Sequence, residues 1–264
     1  MVDFGIDTIR VGTIHLGDAI ESLKQLKDQC IDLILTDPPY SSLEKWRNIG
    51  TTTRLKNSKS SSSKWFETVP NEYFEEFFKE CHRVLKKDTH LYVMCDPETY
   101  LEIHPYIVAA GFSFKKPLIW EKIGKPKTVL CPHCGIEVTT ENSPGSPGMG
   151  YPYRSVYEMV YFAEKGKRKA PANKNVRDVQ HFARIKDKKA YPTEKPTSLL
   201  RVMIKQSTEE GDIVLDPFTG SGSTLVAAMQ CNRRAFGFDI SKAAKTHYER
   251  NNTHLMVTLS NDLF

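Results

Sequence analysis

The sequence predicts an α/β fold, doubly wound, with helices covering both faces of a mostly parallel sheet. Three observations carry that expectation. Short apolar runs suited to buried strands alternate with segments of helical periodicity along most of the chain. Two of those runs stop at an acid followed by proline, in Asp37-Pro38-Pro39-Tyr40 and in Asp216-Pro217-Phe218. After the second acid, Gly220 and Gly222 make a strand-to-helix turn, the kind of place where open α/β sheets collect ligands.

Taken in order, 13–18 (TIHLGD) reads as a strand closing at Asp18, and 19–29 as a helix with Ile20, Leu23 and Leu26 at helical spacing. Residues 31–36 form a buried strand. Residues 41–70 are polar and carry the tract NSKSSSSK, expected to be a mobile loop. In 71–87, Phe74, Phe77, Phe78, Cys81, Val84 and Leu85 share one face of an amphipathic helix. A strand at 90–95, a helix at 98–111 and two strands at 113–122 and 157–166, expected to pair antiparallel, come next. The chain closes with a helix at 197–208, a strand at 212–216, a helix at 223–230, a strand at 234–239 and a helix at 242–251. The Pro/Gly-rich run 131–153 and the basic run 167–189 fall outside the alternation.

At 264 residues there is room for one large core and a small lobe. No apolar run approaches the ~18 residues of a membrane span. The N-terminus lacks the basic-then-apolar pattern of a secretory signal. Six unevenly spread cysteines do not make a disulfide framework, so a reducing cytoplasm is the expected setting. The net charge of +5 is mild but unevenly placed: ten Lys or Arg lie between Lys165 and Lys189 against Asp178 and Asp187. A second basic stretch holds Arg54, Lys56, Lys59 and Lys64 with no acid. Such blocks suit a polyanion, through release of its counterions, and are equally compatible with a solvated surface.

The glycine turn offers close backbone approach and the free N–H groups of a helix start. It lacks the Lys of a P-loop, and Leu225 stands where a dinucleotide fingerprint needs its third glycine. Asp239 ends the next strand about twenty residues on, where a carboxylate can accept from ribose hydroxyls. Asp216 would sit beside a pyrophosphate as a like charge, so a cationic or zwitterionic nucleoside fits better, S-adenosylmethionine foremost. At the other strand end, Tyr40 offers a stacking face, Asp37 a carboxylate and Pro38 a carbonyl in a stiffened backbone. Two acceptors suit an exocyclic amine with two hydrogens to donate. Held there, the amine lone pair can be aimed at a methyl sulfonium, which requires the base to leave its stack.

These residues resemble the amino-methylating DNA methyltransferases, which act on adenine or cytosine exocyclic nitrogens. TDPPY (36–40) is similar to the family's catalytic motif, DPFTGSGST (216–224) to its cofactor motif and YPTEKP (191–196) to its third hallmark, with Tyr191 and Glu194 in place of the usual His and Gln. The motif order matches the permuted group called beta. The resemblance implies a Rossmann-like, seven-stranded methyltransferase sheet with an inserted target-recognition region. It divides the chain into a catalytic half (1–122), the insert (123–190, with a return strand near 157–166) and a cofactor-binding half (191–264). It assigns catalysis to Asp37 and Tyr40, with Pro38 and Pro39 as scaffold. Cofactor binding falls to Asp18, Thr193, Lys195, Asp216, Phe218, Gly220, Ser221, Gly222 and Asp239. Asp at the first motif position favours adenine over cytosine. Double-stranded DNA is the expected partner, with a homodimer and a cognate restriction enzyme suggested by the group's habits.

Arg54, Lys56, Lys167, Arg168, Lys169, Arg184 and Lys186 are the expected phosphate contacts. Trp65 and Trp120 read as anchors before stacking groups. Cys131-Pro-His133-Cys134 has the spacing of half a zinc knuckle, but tetrahedral zinc needs four ligands and no second C-x-x-C follows. Completion would need Cys81, Cys95, His181 or a partner chain, so the expectation is a turn with free thiols and no metal. Rivals to the adenine reading are a cytosine-N4 enzyme, one acting on RNA, a non-catalytic nucleic-acid-binding protein on the same fold and, more distantly, a nucleotide-dependent oxidoreductase.

Overall fold

The computed structural model describes residues 11–39, 69–70, 72–124, 127–140, 153, 155–167, 170–185, 191 and 194–261. Ten strands occur among them: β1 (Thr13–Leu16), β2 (Ile31–Thr36), β3 (Leu85–Cys95), β4 (Ser113–Ile123), β5 (Lys127–Leu130), β6 (Glu137–Thr140), β7 (Tyr157–Lys165), β8 (Val179–Ala183), β9 (Ile213–Asp216) and β10 (Arg234–Asp239). The helices are α1 (Ala19–Leu23), α2 (Tyr73–Val84), α3 (Pro97–Ala109), α4 (Thr197–Ser207), α5 (Ser223–Met229) and α6 (Lys242–Asn261). Eight strands form one sheet in the order β1-β10-β9-β2-β3-β7-β4-β8, and β5 and β6 form a separate hairpin. Only β7 runs against its neighbours; every other pair in that sheet is parallel.

Strand β2 shows why the sheet is covered twice. Ile31 and Ile34 face an apolar cluster built with α1, α2 and α3, while Leu33 and Leu35 face a second cluster with α4, α5 and Tyr248 of α6. A strand apolar on both faces must be sandwiched, which gives the doubly wound layering. From β9 the chain winds towards β10, and from β2 towards β3, so the direction of winding reverses between these two adjacent strands. Such a switch point leaves a crevice outside the carboxyl ends, where Asp37 and Asp216 lie.

The expected antiparallel pairing of 113–122 with 157–166 is present as β4 and β7. The sheet has eight strands where seven were expected. The extra one is β8, laid parallel to β4 at the edge with Ile119 opposite Val179 and Ile123 opposite Ala183. Helix α1 stops at Leu23 instead of running to residue 29. The Arg83 guanidinium takes over, donating to the carbonyls of Leu23 and Leu26 at 2.8 Å each, so those groups need no further helical turn. Strand β3 begins at Leu85, earlier than its apolar run, because Leu85 already pairs with Ile31. Helix α6 continues past residue 251 across a non-helical Asn252. No helix among the described residues is long and apolar enough to cross a membrane.

Candidate active site and cofactor cleft

Two loops meet at the switch point. Asp216 closes β9 in a buried position, and the Thr36 hydroxyl at the end of β2 donates to its Oδ1 at 2.8 Å. The Phe218 N–H donates to the same oxygen at 3.1 Å, curling the chain into the glycine turn. Burial pushes the Asp216 carboxyl up to about 7, although hydrogen bonds from Thr224, Thr36 and Phe218 oppose the rise.

The turn is held from the neighbouring strand. Asp239 Oδ2 accepts the Gly220 N–H at 2.7 Å, and its Oδ1 accepts the Ser241 N–H at 2.7 Å. Burial raises the Asp239 carboxyl and these two N–H bonds restrain it. Gly222 adopts a φ of +81°, and a Cβ there would fall 2.0 Å from the Tyr248 ring, so both backbone and packing demand glycine. The Ser221 and Ser223 hydroxyls lie 2.9 Å apart. One strand further, Leu16 pairs with Asp239, which brings Asp18 to the same end of the sheet. Asp18 Oδ1 caps α1 through the N–H groups of Ile20 and Glu21, and its Oδ2 accepts from the Tyr73 hydroxyl at 2.9 Å. Tyr73, Phe77 and Phe218 form an aromatic group beside this acid, with Phe77 and Phe218 centred 5.2 Å apart.

At the end of β2, Pro38 is buried and Asp37 and Pro39 are half-buried. Lys195 donates a hydrogen bond to Asp37 Oδ2. The same ammonium lies 3.4 Å from Glu158 Oε2, and Glu158 Oε1 is 2.5 Å from Lys122. Lys122 in turn sits 5.2 Å over the Trp120 ring, a cation–π contact. The result is a partly buried chain of alternating charge: Asp37, Lys195, Glu158, Lys122. Burial alone would lower the Lys195 pKa, but Asp37 and Glu158 outweigh it and hold the ammonium charged. Burial raises the Asp37 carboxyl; Lys195 opposes the rise and Glu158 adds to it. Burial also acts to raise Glu158, yet Lys195 and Lys122 together bring it below its usual range.

Of the residues singled out in the sequence, Asp18, Asp37, Pro38, Pro39, Lys195, Asp216, Phe218, Gly220, Ser221, Gly222 and Asp239 gather at the carboxyl ends of β1, β10, β9 and β2 or in the loops beside them. Lys195 lies against the acid of the catalytic motif. Arg184 follows β8 at this same end, and its charge reaches Lys122. Lys167 does not come there. It follows β7 at the opposite end of the sheet's strands, where Thr89 pairs with Lys165 and the Lys167 N–H bonds Asp88 Oδ1 at 2.6 Å. Tyr40, Arg54, Lys56, Trp65, Arg168, Lys169, Lys186 and Thr193 lie outside the described residues. Trp120 is a buried anchor whose indole N–H donates to the Phe182 carbonyl at 2.8 Å. Among the described residues no three metal-ligating side chains come together.

Sequence reasoning missed Glu158, Lys122, Tyr73 and Thr36. Glu158 carried a legible signal, an acid inside the apolar strand YEMVYFAEK, because a buried charge calls for a partner. The others look like ordinary surface or core residues until the fold brings them together.

A switch-point crevice with a glycine turn on one side and an Asp-Pro-Pro loop on the other defines a nucleoside-dependent transferase of the methyltransferase type. Residues 31–250 match the family model for DNA methylase. The type II methyltransferase M.HpaI of Haemophilus parainfluenzae is 31% identical over 85% of this chain and 69% of its own length. The DNA adenine methyltransferase YhdJ of Escherichia coli K12 is 29% identical over 87% of this chain and 78% of its own. Among solved structures, the Thermus thermophilus protein TTHA0409, in complex with S-adenosyl-L-methionine, superposes with a TM-score of 0.61. Its identity is 19%, and the match covers 94% of this chain and 95% of that one. The chain belongs to the N6/N4 DNA methylase family.

Proposed function

We propose that this protein transfers a methyl group from S-adenosylmethionine to the exocyclic N6 amine of an adenine flipped out of double-stranded DNA. The observation that carries the reading is the buried bond from Thr36 to Asp216, which couples the Asp37 loop to the glycine turn. The acceptor set suits this cofactor. Asp216, Asp239 and Asp18 surround the turn with carboxylates that would repel a pyrophosphate but tolerate a sulfonium and an ammonium, and can take ribose hydroxyl hydrogens. The cofactor supplies a methyl carbon made electrophilic by the positive sulfur.

The chain's own residues act on the amine. Lys195 engages Asp37 Oδ2, leaving Oδ1 to accept one amine hydrogen while the Pro38 carbonyl accepts the other. That pair of bonds directs the nitrogen lone pair towards the methyl group. As the N–C bond forms and the S–CH₃ bond breaks, the amine nitrogen gains positive charge, which the Asp37 carboxylate stabilises before the proton passes to water. Tyr40, placed by the motif directly after Pro39, stacks on the flipped base. Arg184 lies at the correct end of the sheet to meet a phosphate, and 123–190 serves as the target-recognition region. The enzyme works in the cytoplasm, as a homodimer and alongside a restriction enzyme of the same specificity.

The test is incubation with methyl-labelled S-adenosylmethionine and double-stranded DNA, followed by nucleoside analysis. N6-methyladenine is the expected product. N4-methylcytosine would transfer the same geometry to the other amine, and no methylated base in the presence of bound cofactor would overturn the reading.

A further inference from the structure

We propose that the β5–β6 hairpin ends in half of a structural zinc site, Cys131 and Cys134, completed by the same two cysteines of a second copy of this chain.

The hairpin stands apart from the main sheet. Its strands pair only with each other, Lys127 opposite Thr140 through Leu130 opposite Glu137. A two-stranded hairpin is marginal in water without something to fix it. Leu130 and Ile136 flank its turn and remain 65% and 64% exposed, so neither supplies an apolar anchor there.

The turn between them is shaped around sulfur. The Cys131 N–H donates to the Ile136 carbonyl at 2.8 Å, and the Gly135 N–H to the Cys131 carbonyl at 2.9 Å. Gly135 closes the turn at a φ of +69°. The Cys131 sulfur accepts backbone N–H groups from His133 and Cys134 and also contacts the Cys134 side chain. Both thiols therefore meet on one side of the loop, at the C-x-x-C spacing that supplies two of the four ligands in structural zinc sites. Backbone N–H groups aimed at a thiolate are also the outer contacts that tune a metal-bound sulfur.

Among the described residues no further metal ligand joins the pair. The other cysteines, Cys30, Cys81, Cys95 and Cys231, are all buried, with Cys81 and Cys95 packed in the cluster under α2 and α3. His181 is occupied by Glu121 at 2.8 Å. A two-fold partner presents the same pair of thiols, and two pairs make the closed tetrahedral S₄ set that selects zinc among common divalent ions. Such pairing would also cover Leu130 and Ile136. None of this depends on the methyl-transfer reading.

The reduced, metal-free full-length chain should be titrated with cobalt(II) while the oligomeric state is followed by sedimentation. The expected result is a thiolate-to-cobalt charge-transfer band with tetrahedral d–d bands, saturating at one metal per two chains and displaced by zinc. Cys131→Ser and Cys134→Ser should each abolish the bands and the metal-dependent dimer. Because the hairpin lies outside the main sheet, the thermal midpoint of either variant should stay unchanged, which shows that it is folded. Saturation at one metal per monomeric chain, absence of the thiolate band in the reduced protein, or bands that survive in Cys131→Ser would each overturn the proposal.

Discussion

The Thr36 hydroxyl donates to Asp216 Oδ1 at 2.8 Å across two adjacent parallel strands, with both residues buried. The next residue after Thr36 is Asp37, and two residues after Asp216 the chain enters the glycine turn. A single short contact thus sets the two halves of the cleft at a fixed separation. That matters for a transfer in which reacting atoms must be aligned in line.

Asp37→Ala should abolish transfer while leaving cofactor binding largely intact, since the proposed mechanism has Asp37 act on the amine. The expected fall in kcat is about 10²-fold or more, the scale for losing an electrostatic contact to a charging transition state. Labelled transfer measured beside equilibrium dialysis of the cofactor separates the two effects. Parallel loss of both would place Asp37 in the cofactor site instead.

Gly222→Ala should destabilise the fold by about 3 kcal/mol or more, combining a left-handed backbone with overpacking against Tyr248. Gly220 is the control. Its φ is +52°, but among the described residues a Cβ there would meet only Tyr191, at 3.9 Å, so Gly220→Ala should cost about 1–2 kcal/mol. Urea denaturation of the two variants measures the difference.

Glu158 makes stability depend on acid pH. Its folded pKa is lowered because Lys195 and Lys122 outweigh burial. Its contribution is therefore present above the usual Glu value of about 4.3 and lost as pH falls through the lower folded value. The Tm of Glu158→Gln should be reduced at neutral pH and should fall less steeply than the wild type's below that value. Equal slopes for the two proteins would show that Glu158 is not the group responsible.

Asp216 has the opposite sign. Its folded pKa is raised to about 7 by burial, so the folded state holds its proton longer than the unfolded chain. Stability consequently falls as pH rises from the usual Asp value of about 3.9 to about 7. Asp216→Asn keeps an oxygen for Thr36 and Phe218 while removing that loss. Without cofactor, its Tm should exceed the wild type's by a few °C at about pH 8, with little gain near the usual Asp value, and its cofactor affinity should drop. Scanning calorimetry at the two pH values checks the sign.

The strands and helices that build the sheet were legible where local pattern suffices. IDLILT is apolar on both faces, and the spacing of Phe74, Phe77, Phe78 and Cys81 marks one side of α2. The motifs also place most of the cleft, because a chain leaving a parallel strand must pass its carboxyl end. Strand β8 escaped notice because VQHFA is short, exposed on alternate residues and embedded in basic sequence. Helix α1 was read too long because the arginine that terminates it lies 57 to 60 residues away from the carbonyls it takes.

Chain chemistry therefore determined the layering of the fold, the acidic strand ends and the glycine turn, since each rests on residues close together in sequence. Tertiary structure alone decided that Lys195 neutralises Asp37, that Glu158 and Lys122 extend that pair inward, and that Lys167 sits at the far end of its strand from the cleft. Charges 158 residues apart, as Lys195 and Asp37 are, carry no local sign of each other. Their pairing follows from strand order and burial, which arise only when the two halves of the sheet close.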